Sequence, residues 1–77
     1  MMVERLDKYA SWVRSLNDAR AKAKISVRVD RLVLGNPGNV RPVGDGVSEM
    51  RIDHGPGYRV YFSQYGGKLI ILLCGGT

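Results

Sequence analysis

Cysteine and histidine are almost absent from this chain, with one of each among its 77 residues, Cys74 and His54. A lone cysteine cannot form an internal disulfide. It argues against a secreted, disulfide-stapled scaffold and fits a reducing cytoplasm. Zinc sites need clustered Cys, His or carboxylate ligands, so no metal site and no cofactor are expected. Long apolar runs are missing too. The longest, Leu69 to Cys74, falls far short of the roughly 20 residues of a spanning helix. The segment Met1 to Arg14 is broken by Glu4, Arg5, Asp7, Lys8 and Arg14, which excludes a signal-peptide core. No internal repeat or low-complexity tract occurs.

What the chain does have is positive charge. Twelve Lys and Arg against seven Asp and Glu give a net charge of +5 and a pI near 9.8. That balance favours a polyanionic partner: a nucleic acid or an acidic protein surface. At 44% hydrophobic and 25% charged, the composition is globular. A chain this short makes one domain, residues 1–77, and buries only about 60% of its unfolded surface, so its stability is marginal.

The apolar spacing changes character along the chain. Leu6, Tyr9, Val13 and Leu16 recur at helical spacing, with Trp12 widening the stripe, which predicts a first helix over about Arg5–Leu16. Asn17-Asp18 ends one helix and caps the next. A second helix is predicted over about Ala19–Leu34, with Ala21, Ile25, Val29 and Leu32 on one face. Arg20, Lys24, Arg28 and Arg31 form a basic stripe on another. That stripe is either a plain solvated face or part of a partner surface, and Arg41 joins it as a candidate RNA or partner contact. Gly35-Asn36-Pro37-Gly38 stops the helix.

Beyond that break the period becomes two. Ser48, Met50 and Ile52 alternate with Glu49, Arg51 and Asp53; Tyr58, Val60 and Phe62 alternate with Arg59, Tyr61 and Ser63. His54-Gly55-Pro56-Gly57 reads as a turn, Tyr65-Gly66-Gly67-Lys68 as a tight hairpin, and Leu69–Cys74, apolar on both faces, as a strand that lies centrally in the sheet or has cover on both sides. The fold class is α+β. A helical hairpin packs on one face of an antiparallel sheet of three strands, or slightly more.

Pairing Ile52 with Tyr58 brings the apolar faces together. It also sets Met50 opposite Val60, Arg51 opposite Arg59 and Glu49 opposite Tyr61. Two like charges directly opposed are destabilising. A bound anion would offset them, and so would Glu49. Arg51 and Arg59 are therefore candidates for holding a phosphate, because a guanidinium presents a planar fork of donors. The bland alternative is that they pair with Glu49 or Asp53. Tyr61, on the arginine face, is a candidate for stacking or proton donation, whereas Tyr58 shares the core face. His54 is either a proton carrier or a simple turn residue. No Ser/His/Asp set and no P-loop is present, and Cys74 reads as packing.

Several of these stretches resemble a known family. They are Trp12–Leu16, Asp18–Ile25, Arg31–Asn36, the run Val40-Arg41-Pro42-Val43-Gly44-Asp45-Gly46-Val47-Ser48-Glu49-Met50-Arg51-Ile52, the run Gly55-Pro56-Gly57-Tyr58-Arg59-Val60-Tyr61-Phe62, and Leu69–Gly76. In this order, over about residues 6–76, they resemble the HigB-like addiction module killer branch of the RelE/ParE toxins. The resemblance implies the toxin of a type II toxin–antitoxin system, with a cognate antitoxin, often of helix-turn-helix type. It also implies one of two activities: metal-free cleavage of mRNA on the ribosome, or inhibition of DNA gyrase by binding. Under the first, Arg51 and Arg59 match basic strand positions that contact mRNA phosphate. Such proteins open with a strand, for which Met1–Glu4 are too few, and close with a segment and helix beyond Thr77. Three expectations follow: an uncovered face at Ile70, Leu72 and Cys74, its cover by a second copy through the exposed last strand, and, as a further outcome, an inactive remnant that keeps only antitoxin binding.

Overall fold

A computed structural model describes residues 1–77. The elements run β1 (Met2–Arg5), α1 (Asp7–Ser15), α2 (Ala19–Val33), β2 (Val40–Gly44), β3 (Val47–Ile52), β4 (Tyr58–Tyr65) and β5 (Leu69–Gly76). Both helices pack on one face of a single five-stranded sheet of order β1-β5-β4-β3-β2. The α+β class and the helical hairpin follow the sequence pattern. Two features of the sheet do not.

The sheet is mixed, not purely antiparallel. Met2–Arg5 form a strand after all, pairing parallel to β5 with Val3 opposite Ile70. Four residues suffice because the strand borrows its order from a formed neighbour. The Met2 N–H donates to the Lys68 carbonyl at 2.7 Å and the Leu6 N–H to the Leu72 carbonyl at 3.1 Å, while Val3 packs on the core. At the other edge, β2 pairs with β3 and contains Pro42. Proline is tolerated in an edge strand, where its missing donor faces solvent. The β2–β3 hairpin turns on Asp45-Gly46 with φ of 54° and 75°, the left-handed pair that an Asp-Gly turn supplies.

The remaining registers carry the argument. β3 and β4 pair with Ile52 opposite Tyr58, Met50 opposite Val60, Arg51 opposite Arg59 and Glu49 opposite Tyr61. This is the pairing that matching the apolar faces predicts. β4 and β5 pair with a bulge, so that Tyr61 faces Cys74 but Phe62 faces Leu72. The extra residue on β5 moves Cys74 to the opposite side of the sheet from Ile70 and Leu72.

The core lies between helices and sheet. Tyr9, Ile25, Val29 and Leu32 meet Met50, Ile52, Val60, Phe62, Ile70 and Leu72. Ile70 and Leu72 are wholly buried, so the face expected to be open is covered by the chain's own helices. β5 is also hydrogen-bonded along its length by β4 and, over Leu69–Leu72, by β1.

Ala21, Ile25, Val29 and Leu32, the predicted apolar face of α2, are all buried. Leu6 is the exception in the α1 stripe: it stands half out at 39% exposure, because the helix begins only at Asp7. Trp12 completes an aromatic row, its ring centroid 6.2 Å from Tyr9 and 6.2 Å from Tyr58. The Trp12 indole lies on Gly75, where an added Cβ would overlap the ring. Gly75→Ala must push Trp12 outward and break the row. Such overpacking costs about 1–3 kcal/mol. A urea melt should show this loss, and an unchanged midpoint would mean the indole has room to move.

Candidate functional site

The sheet's second face carries no helix, and alternation along the strands decides what stands there. Arg41 from β2, Glu49 and Arg51 from β3, Arg59 and Tyr61 from β4 and Cys74 from β5 share it, in adjoining register. Glu49 is the centre of this group. Its side chain is only 6% exposed, although no helix covers it. Arg41 and Arg59 cover it instead, each bringing Nε to Oε1, at 3.5 Å and 3.4 Å. Neither contact has hydrogen-bond geometry, and Glu49 Oε1 and Arg59 Nε are left without a directed partner. A buried carboxylate is retained only beside compensating charge, and here two guanidiniums supply it.

The two opposed arginines are not equivalent. Arg59 is half-buried, 32% exposed at the side chain, and leans on Glu49 through Nε. Its terminal nitrogens have no partner in the chain. Arg51 is exposed and forms no ion pair. It borders a small hollow of about 260 Å³ with Asn39, Asp53 and Gly57. Glu49 thus offsets part of the like-charge repulsion, through Arg59, and leaves Arg51 uncompensated. Three guanidiniums around one carboxylate leave this face net positive. Tyr61 stands among them, half-buried.

His54 does not join them. Its Nε2 lies 2.9 Å from Asp18 Oδ2, on the helix side of the sheet. Asp18 caps α2, accepting from the backbone N–H groups of Arg20 and Ala21 at 3.0 and 3.1 Å. The histidine therefore ties the β3–β4 turn to the helix start. This corrects its candidacy as a proton carrier for the arginine face. The His54 hydrogen bond, followed by that from Ala21, holds the Asp18 carboxyl below its ordinary value of 3.8. A carboxyl that ionises more readily folded than unfolded stabilises the fold above its unfolded pKa, and loses that effect as pH falls through the lower folded value. Asp18→Asn keeps a cap but removes the titration. The wild-type melting temperature should therefore approach that of Asp18→Asn as pH is lowered from 6 to below 3. Parallel curves across that range would contradict the assignment.

The basic stripe of α2 also divides. Arg28 is structural: Nη1 donates to the Arg51 carbonyl at 2.6 Å and Nη2 to the Pro37 carbonyl at 3.1 Å. It fastens α2 to β3 and to the loop before β2, and is withdrawn as a partner contact. Arg20 is exposed, while Lys24 and Arg31 border a groove of about 380 Å³ between α2 and β3 with Val27 and Asp53. These three remain available, as does Arg41, at 69% side-chain exposure. Glu49 is the residue that sequence reasoning undervalued. The signal was there, in its position across from Tyr61 and two places before Arg51 on the same face, but its burial depends on β2, which the proline disguised.

No group of three or more His, Cys, Asp or Glu side chains is gathered in the chain, and no helix is long and apolar enough to cross a membrane. The chain is 53% identical over 68 residues to an uncharacterized protein of Haemophilus influenzae. The match spans 88% of this chain and 69% of that protein. The two belong to one family. No family model matches the chain, and no solved structure matches it.

Proposed function

We propose that this chain is a toxin of the RelE/ParE type that holds mRNA on the open face of its sheet and promotes metal-free cleavage there while the message is on the ribosome. The observation that carries this reading is the cluster of Arg41, Arg51 and Arg59 on one uncovered sheet face, with Arg51 free and the Arg59 terminal nitrogens unclaimed. Guanidinium forks match phosphate oxygens in both charge and geometry. The sequence resemblance supplies the activity class.

In this reading Arg51 and Arg59 bind the scissile phosphate and stabilise the charge that builds on it as the 2′-oxygen, its proton passing to water, attacks phosphorus and the 5′-oxygen departs. Preorganised donors of this kind supply a large share of such a rate. Glu49 is a positioning residue that sets the angle of Arg59. Tyr61 stacks on a base or donates a proton to the departing 5′-oxygen. Arg20, Lys24 and Arg31 extend the positive surface on the helix side. A cognate antitoxin, of helix-turn-helix type, would neutralise the toxin, and the place of action would be the cytoplasm.

One observation favours a second reading. With His54 bound to Asp18, the arginine face lacks a histidine for proton transfer, which suits a protein that acts by binding alone, as an inhibitor of DNA gyrase. Inducing the chain in cells and mapping both mRNA 5′ ends and gyrase-linked DNA breaks separates the two. New mRNA ends support cleavage. DNA breaks without new ends support gyrase inhibition. Neither would leave an inactive chain that retains only antitoxin binding.

A further inference from the structure

A second cationic site lies on the other side of the molecule, in the cleft between α1 and α2. Arg5 from the end of β1, Tyr9 and Arg14 from α1 and Lys22 from α2 line it, over a floor that includes Val13 and Val29. The cleft holds about 260 Å³, below the size of pockets for drug-sized ligands and suited to a small ion or a compact group. No carboxylate lines it. None of its three cations forms an ion pair, since the chain's pairs are Arg41–Glu49, Arg59–Glu49 and His54–Asp18. Arg14 Nη2 donates to Ser11 Oγ at 3.2 Å and Lys22 Nζ reaches the Arg14 carbonyl at 3.5 Å. The other donors are unclaimed.

Tyr9 adds a second, independent observation. The residue is 5% exposed, yet its hydroxyl makes no hydrogen bond in the chain. Burial raises its pKa, against a smaller opposing effect of Arg5, so at neutral pH the hydroxyl keeps its proton and is a donor. The Tyr9 hydroxyl is a donor with no partner in the chain, and three like charges gathered at one cleft repel one another. A single ligand relieves the repulsion and meets the hydroxyl if it is an acceptor and carries more than one negative charge.

We propose that this cleft binds a phosphate group, as inorganic phosphate or as a phosphate monoester, with Arg5, Arg14 and Lys22 around its oxygens and the Tyr9 hydroxyl donating to one of them. A carboxylate would leave most of the charge unbalanced. The site stands apart from the arginine face of the sheet and does not depend on the reading given to that face.

The test is an NMR titration of the full chain with sodium phosphate and with phenyl phosphate, at ionic strength held constant with sodium chloride. Phosphate should shift the Tyr9 ring signals and the amides around Arg14 and Lys22, and saturate. Arg14→Gln with Lys22→Gln, both at exposed or half-exposed positions, should weaken this by at least about tenfold, the loss expected when charged donors are removed. Arg51→Gln should leave it unchanged. Phenyl phosphate saturating the same signals identifies monoesters as ligands, and phosphate alone doing so identifies the free ion. Equal shifts with chloride, or shifts that persist in the double variant, would overturn the proposal.

Discussion

Arg59→Ala is expected to lower the yield of new mRNA 5′ ends by about 100-fold or more, the range seen when one preorganised donor to a developing oxyanion is removed. The loss should exceed that of Arg51→Ala. Arg59 is the more ordered of the two, because Glu49 fixes its Nε at 3.4 Å and only its terminal nitrogens are free. A held guanidinium gives up less side-chain freedom on meeting a phosphate than an exposed one does. Arg59→Lys should not rescue fully, since an ammonium keeps the charge but not the fork. Primer-extension mapping across matched induction levels reads all three. Equal activity in Arg59→Ala and the parent chain would remove this residue from the phosphate and leave Arg51 alone on that face.

Glu49→Ala carries the second large effect, and here the loss is in stability. The carboxylate is buried between two guanidiniums. Its removal leaves Arg59 Nε, already without a directed partner, next to an empty space and two repelling neighbours. Breaking a fully buried pair costs about 3–5 kcal/mol. Arg41 is 69% exposed and Arg59 32%, so solvent screens much of the charge, and about 2 kcal/mol is the expected loss. Only twelve of the 77 residues are buried, so a loss of this size is a large share of the total. Removing Arg59 as well should cost less than the two single losses added, because the orphaned cation leaves with it. Urea unfolding of the two single variants and the double variant measures the coupling. Strict additivity would mean that Glu49 and Arg59 stand side by side without interacting.

These two residues also mark how far the sequence could be read. Alternation of Met50 and Ile52 with Arg51, and of Tyr58 and Val60 with Arg59, determined the β3–β4 register and the opposition of the two arginines. The spacing of Ala21, Ile25, Val29 and Leu32 identified the buried face of α2. Both patterns are local, and each is reinforced by burial on one side. The features that escaped are set by contacts distant in sequence. His54 meets Asp18 across 36 residues and Arg28 meets the Arg51 carbonyl across 23, and periodicity carries no trace of either. The Met2–Arg5 strand exists only because β5 is there to receive it. The bulge that turns Cys74 away from Leu72 breaks the very alternation used to assign faces. Arg28 was grouped with Arg20, Lys24 and Arg31 by its position on the helix, yet its side chain is bound inward.

The account rests on Arg51 and Arg59 meeting a phosphate on the uncovered face of the sheet. The most direct measurement follows the arginine Nε–Hε signals of the ¹⁵N-labelled chain as a short single-stranded RNA is added at low salt. The signals of Arg51 and Arg59 should move together and return as salt is raised, while that of Arg28, held by two carbonyls, stays in place. Stationary Arg51 and Arg59 signals, with RNA perturbing only the helical surface at Arg20 and Arg31, would contradict it.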